Sequence, residues 1–143
     1  MDKKVDIERS ARRAVVPYEI NVTEGQSWVY ARVHEPVTKT LALDLLNDAA
    51  RLAAEHGVSH LVIDARGAPS TKTTVEDYDI AYRRVPQLGF ERGSRTAIIV
   101  DEADESHHFF ETCMMNAGHN WRVFSDADRA RRWVDSEQPS GDA

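Results

Sequence analysis

The chain has 143 residues, the length of one domain and enough to bury a single core, with 41% of them hydrophobic and 29% charged. A formal net charge of −6 argues against a general nucleic-acid binder, and one cysteine, Cys113, excludes an internal disulfide and a multi-thiolate metal site. No apolar run has membrane-spanning length, and Met1-Asp2-Lys3-Lys4-Val5-Asp6 lacks the apolar core of a signal peptide, so the expected setting is cytoplasmic.

Residues 1–15 are charge-rich without a clear period and are expected to form a flexible arm, with Arg9, Arg12 and Arg13 as a solvated basic cluster. From Tyr18 the pattern alternates. Tyr18–Val22 and Trp28–Val33 read as two strands joined by Thr23-Glu24-Gly25-Gln26-Ser27, an antiparallel hairpin. After Pro36, Thr38 or Thr40 can cap a helix. Its apolar stripe is Leu41, Leu45, Ala49 and Leu52, widened by Ala42, Leu46 and Ala53, with Asp44, Asp48, Arg51 and Glu55 opposite and Gly57 as the stop. Leu61-Val62-Ile63 is the continuous apolar run of a strand covered on both faces.

A polar stretch, Arg66 to Lys72, leads to Thr73 and Glu76 at capping-box spacing. The helix they open is expected to bury Val75, Tyr78, Tyr82 and Val85, and to end or kink where Pro86 removes a backbone donor. Thr96-Ala97-Ile98-Ile99-Val100-Asp101 then reads as a strand. A helix follows with Phe109, Cys113, Met114 and Ala117 inward and Gly118 as its stop. Trp121–Phe124 forms the last strand. The last helix starts at Ser125 or Asp126, where a carboxylate suits the positive helix end, and buries Ala127, Ala130, Trp133 and Val134. Residues 136–143 read as a disordered tail.

The order is ββαβαβαβα. It implies a single α/β domain over residues 16–135, with a mostly parallel sheet, right-handed crossovers and an antiparallel N-terminal edge strand.

This order, together with Leu61-Val62-Ile63-Asp64-Ala65-Arg66 and the run from Phe110-Glu111 through Asn116-Ala117-Gly118, Arg122–Asp126, Ala130 and Trp133, resembles the SpoIIAA-like (STAS-like) family. These are anti-sigma-factor-antagonist-type domains that also resemble the CRAL-TRIO lipid-transfer fold. The likeness spans roughly Tyr18 to Val134. It implies a non-enzymatic regulatory domain in bacterial signalling, whose partner is another protein such as a kinase or regulatory factor, with self-association compatible. It also implies an alternative, a carrier of a small apolar ligand or lipid. The family's phosphorylated serine lies in an Asp-Ser-x-Gly setting, which this chain lacks. It has Asp64-Ala65-Arg66-Gly67 and then Ser70, Thr71, Thr73 and Thr74, so the resemblance points to a hydroxyl-bearing docking or phosphorylation loop without naming one residue.

The residues themselves offer three further chemistries. Asp64 and Asp101 fall at the carboxyl ends of two strands expected to be neighbours, the edge where open α/β sheets place ligands; capping or turn roles are the simpler reading. His107, His108, Glu111, Cys113 and His119 are the densest group of metal-capable side chains, but no His-Glu-x-x-His occurs and Cys113 should face the core. Tyr78, Tyr82, Phe109, Phe110 and Trp133 could line a lipid pocket, although at helical spacing they read first as core. No catalytic residue, metal or cofactor is therefore assigned, and neither nucleic acid nor membrane is expected as a partner.

Overall fold

The computed structural model describes residues 16–136. The arm expected over 1–15, with its arginine cluster, and residues 137–143 of the expected tail lie outside the described residues.

Five strands form one sheet in sequential order: β1 (Tyr18–Val22), β2 (Trp28–Val33), β3 (His60–Asp64), β4 (Arg95–Ile99) and β5 (Asn120–Phe124). β1 pairs antiparallel with β2, from Tyr18 opposite Val33 to Val22 opposite Val29, and the remaining pairs are parallel. Each parallel step moves one position in the same direction. Right-handed crossovers then require every crossover helix to lie on one face. These are α1 (Lys39–His56), α2 (Thr74–Asp79) with its irregular continuation, and α3 (His108–Asn116). Leu41, Leu45, Leu46 and Ala49 of α1, Ile80, Ala81 and Val85, and Phe110, Cys113 and Met114 of α3 all bury into one cluster with Val29, Ala31, Leu61, Ile63 and Ile98. The last helix, α4 (Ala127–Val134), covers the opposite face. It sets Ala130 and Val134 against Trp28, Val62, Ala97 and Ile99, the other half of each strand's alternation.

The caps form as the sequence dictates. Thr38 Oγ1 accepts from Leu41 N at 3.1 Å, and Gly57 (φ 67°) closes α1 in the left-handed conformation that a side chain would strain. Thr73 and Glu76 exchange both bonds of the capping box, and Asp126 accepts from Asp128 N and Arg129 N to start α4.

Two helix faces differ from expectation. After six α-helical residues the chain widens into a π turn (Ile80–Arg84), in which Val85 N reaches Ile80 O five residues back, then tightens into a 3-10 turn (Val85–Gln87) holding Pro86. The disturbance thus starts well before the proline. It turns Ile80, Ala81 and Val85 inward with Asp77, and leaves Val75, Tyr78 and Tyr82 in solvent. In α3 it is Phe110, three residues before Cys113, that enters the core, and Phe109 faces outward. In α4 Ala130 and Val134 are buried, while Ala127 and Trp133 are half-buried.

Candidate functional site

The carboxyl edge of the sheet gathers the side chains singled out in the sequence, and it divides their roles. Asp64 ends β3 on the α4 face, in register with Arg32, and its side chain is 0% exposed. Its Oδ1 accepts from Arg66 N (3.2 Å) and Nε (2.9 Å); its Oδ2 accepts from the second guanidinium nitrogen of Arg66 (2.6 Å) and from Tyr30 Oη (3.2 Å). Arg32 stands 3.7 Å away. Burial opposes ionisation of Asp64, but the Arg66 hydrogen bonds and the two guanidinium charges outweigh it and hold the carboxyl below its ordinary range. Asp101 points elsewhere and accepts Gly67 N at 2.7 Å. The two carboxylates sit on adjacent strand ends as expected, yet each has its own partners: Asp64 its arginines and Asp101 a loop amide.

The hydroxyl-rich loop and the loop after β4 are braced into one ledge. Ser70 N donates to Ser106 Oγ (2.8 Å), while Asp104 Oδ1 accepts from Ser106 N (2.9 Å) and Oγ (2.6 Å). Val37 N donates to Pro69 O (2.8 Å), and Thr71 N returns to Val37 O (2.9 Å). Buried His107 bonds Ala68 O through Nε2 at 2.9 Å; a carbonyl only accepts, so Nε2 carries the proton. Burial lowers the His107 pKa, with the Ala68 bond opposing, which keeps the ring neutral near pH 7. Of the four hydroxyls, Ser70 Oγ accepts from Lys72, Thr71 Oγ1 donates to Val37 O (3.3 Å) and Thr73 caps α2. Thr74 is exposed, and its hydroxyl has no partner among the described residues.

Beneath the ledge lies a pair that sequence reasoning missed. Lys72 and Asp77, with side chains 1% and 5% exposed, meet at 3.1 Å. The Lys72 ammonium also donates to Ser70 Oγ at 2.9 Å and stands 4.3 Å from the centre of the Phe110 ring, a cation–π contact. Burial pushes the Lys72 pKa down and the Asp77 pKa up, and the mutual attraction of the pair opposes both shifts. Ser70 Oγ also accepts from Lys72 N at 3.3 Å. No local pattern announces a lysine in a core, since lysines are almost never fully buried unless paired.

Of the metal-capable residues His108 and Glu111 stay paired, with Nδ1 and Oε1 3.7 Å apart, and the others turn to separate partners. Glu111 Oε2 accepts Val123 N at 2.8 Å, His119 Nε2 bonds Ala81 O at 3.0 Å, and Cys113 is a buried thiol whose pKa burial raises. Among the described residues no group of three or more His, Cys, Asp or Glu is placed to hold a metal ion. The expected aromatic group divides too. Phe110 and Trp121 stack edge-to-face inside at 5.2 Å, whereas Tyr78 lies 5.9 Å from Tyr82 and 5.7 Å from Phe109 at the surface. Between α1 and the sheet the free space is about 40 Å³, lined by Leu41, Leu45, Ile63 and Phe110 with Lys72 and His107. A larger open cleft of about 260 Å³ lies at the opposite edge, between the Phe90–Ser94 loop and Met114–Trp121. Among the described residues no helix is long and apolar enough to cross a membrane.

No protein-family model matches the chain, and no curated protein matches it.

Proposed function

We propose that this domain is a non-enzymatic regulatory module of STAS-like type, acting in the bacterial cytoplasm through contact with another protein, a kinase or regulatory factor. The ledge formed by residues 66–74 and 101–106 is its docking edge. The observation that carries the reading is the bracing of these two loops around an unengaged hydroxyl. A rigid edge can present Thr74 without first paying ordering entropy, and the carboxylates and hydroxyls beside it are committed to holding the edge. Phosphorylation of Thr74 would add nearly two negative charges beside Glu76 and would strengthen the hold on a partner whose charge complements that acidic field.

Site-specific photo-cross-linking in living cells tests this. A photoreactive residue at position 74 should trap one defined protein, Thr74→Glu should increase the trapping measured from position 71, and a probe at Arg129 should trap nothing. Equal trapping from positions 74 and 129, or none from 74, would overturn it. The carrier alternative needs α1 to move off the sheet, because about 40 Å³ holds roughly one water and not a lipid chain. Native mass spectrometry would favour that alternative if a ligand copurified.

A further inference from the structure

Val75, Tyr78, Tyr82 and Phe109 are 74, 51, 46 and 39% exposed. Tyr78 stacks on Tyr82 and meets Phe109 edge-on, and the spacing of 75, 78 and 82 lines three of the four residues along one side of α2 and its π turn. Together they leave on the order of 400 Å² of side-chain surface in water, a size at which a contiguous patch on a monomer is commonly functional. That is roughly half of what one partner contributes to a stable interface, so the remainder must come from the surroundings. The neighbouring loop is acidic: Asp101, Glu102, Asp104 and Glu105 fall within five residues, just before α3 and Phe109. Glu102 and Glu105 are exposed and have no ion pair among the described residues.

We infer that this aromatic ladder is the anchor of the docking surface, and that its occupant is a basic amphipathic helix. Apolar anchors of that helix lie along Val75, Tyr78 and Tyr82, and its Lys and Arg flanks meet Glu102 and Glu105. The inference rests on the reading of the domain as a protein-contact module. It goes further by naming the partner's chemistry from the charge of the rim and the helical spacing of the ladder.

The test titrates the full chain with three helical peptides of equal apolar content, carrying Lys/Arg, Gln or Glu flanks, and follows amide and aromatic NMR shifts. The basic peptide should bind alone in the micromolar range and weaken with salt. Its shifts should be confined to Val75, Tyr78, Tyr82, Phe109 and the acidic loop. Tyr78→Ser, at an exposed position, should weaken it by roughly tenfold or more without loss of fold, and Glu102→Lys with Glu105→Lys should transfer the preference to the acidic peptide. Indifference to flank charge, no binding at millimolar peptide, or full binding by Tyr78→Ser overturns the inference. So does a dimer that Tyr78→Ser dissociates, which would place a second copy on this face. Cross-linking from position 74 that survives Tyr78→Ser would overturn the ladder and leave the ledge standing; loss of cross-linking with intact peptide binding would do the reverse.

Discussion

Replacing Lys72 separates the two ways in which the buried pair can matter. Lys72→Met keeps most of the volume and the contact with Phe110 but leaves Asp77, 5% exposed, without its counter-charge. Breaking a buried pair from one side costs about 3–5 kcal/mol. For a domain of this size that is roughly 10–20 °C in Tm. Lys72→Met combined with Asp77→Leu removes the stranded charge and should recover to within about 1–2 kcal/mol of the parent, or exceed it, because the desolvation of both ions is no longer required. The single variant should also carry a pH signature. With the folded-state pKa of Asp77 raised by burial, the unpaired carboxyl takes up a proton in the folded protein more readily than in the unfolded chain. The deficit is then smallest below the unfolded carboxylate value, about pH 4, and grows as pH rises through the folded value. Urea denaturation of the three proteins from pH 3.5 to 8, compared at constant m, measures all of this. A deficit under about 1 kcal/mol, a pH-independent deficit, or a double variant as unstable as the single would refute the account.

His60 Nδ1 accepts Arg95 N at 2.9 Å, and burial first, then the Arg95 charge, lowers its pKa; His107 is lowered by burial as well. In both cases the unfolded chain binds more protons below about pH 6.5, so stability should fall from there down to the lowered folded values. His107→Gln should flatten its share of that slope in chemical denaturation. Asp64, whose folded pKa is depressed, contributes stability above about pH 4 that is lost as pH falls through the folded value, and Asp64→Asn should remove this acid-sensitive component. Thr73→Ala should cost about 1 kcal/mol in denaturant melts, with Thr73→Ser near neutral, because the capping bond to Glu76 N needs only the hydroxyl. Gly118 stands at φ 95° with open space around it, so Gly118→Ala should cost about 1–2 kcal/mol through backbone strain and not through a clash.

The architecture was readable because period, caps and breakers agree with one another: Thr38 and Gly57 bracket α1, and Asp126 starts α4, where the sequence places them. The face of α2 was not. Val75, Tyr78, Tyr82 and Val85 form as regular a 3.6-residue stripe as the one that is buried, and the true inward stripe contains Asp77, which enters only because Lys72 meets it there. Beyond Ile80 the π turn takes more than four residues per turn, so a register extrapolated at 3.6 loses phase. The adjacent aliphatic pair Ile80-Ala81 was the available signal, since aliphatic residues bury more completely than tyrosine. At the candidate site, the positions of Asp64 and Asp101 on neighbouring strand ends were legible. Their capture by Arg66 and Gly67 was not, because it depends on how a Gly-Ala-Pro loop turns back over the sheet.

The sequential strand order has a kinetic consequence. After the first strand, each strand's partner is already present when it leaves the ribosome, so the crossover face can assemble progressively from the hairpin onward, one helix-bearing crossover at a time. The face carrying Trp28, Val62, Ala97 and Ile99 has no such sequence of events. It waits for Ala130 and Val134, more than a hundred residues after its first member has been synthesised. During that interval it is an apolar sheet open to other nascent chains, which makes α4 the element on which escape from aggregation turns.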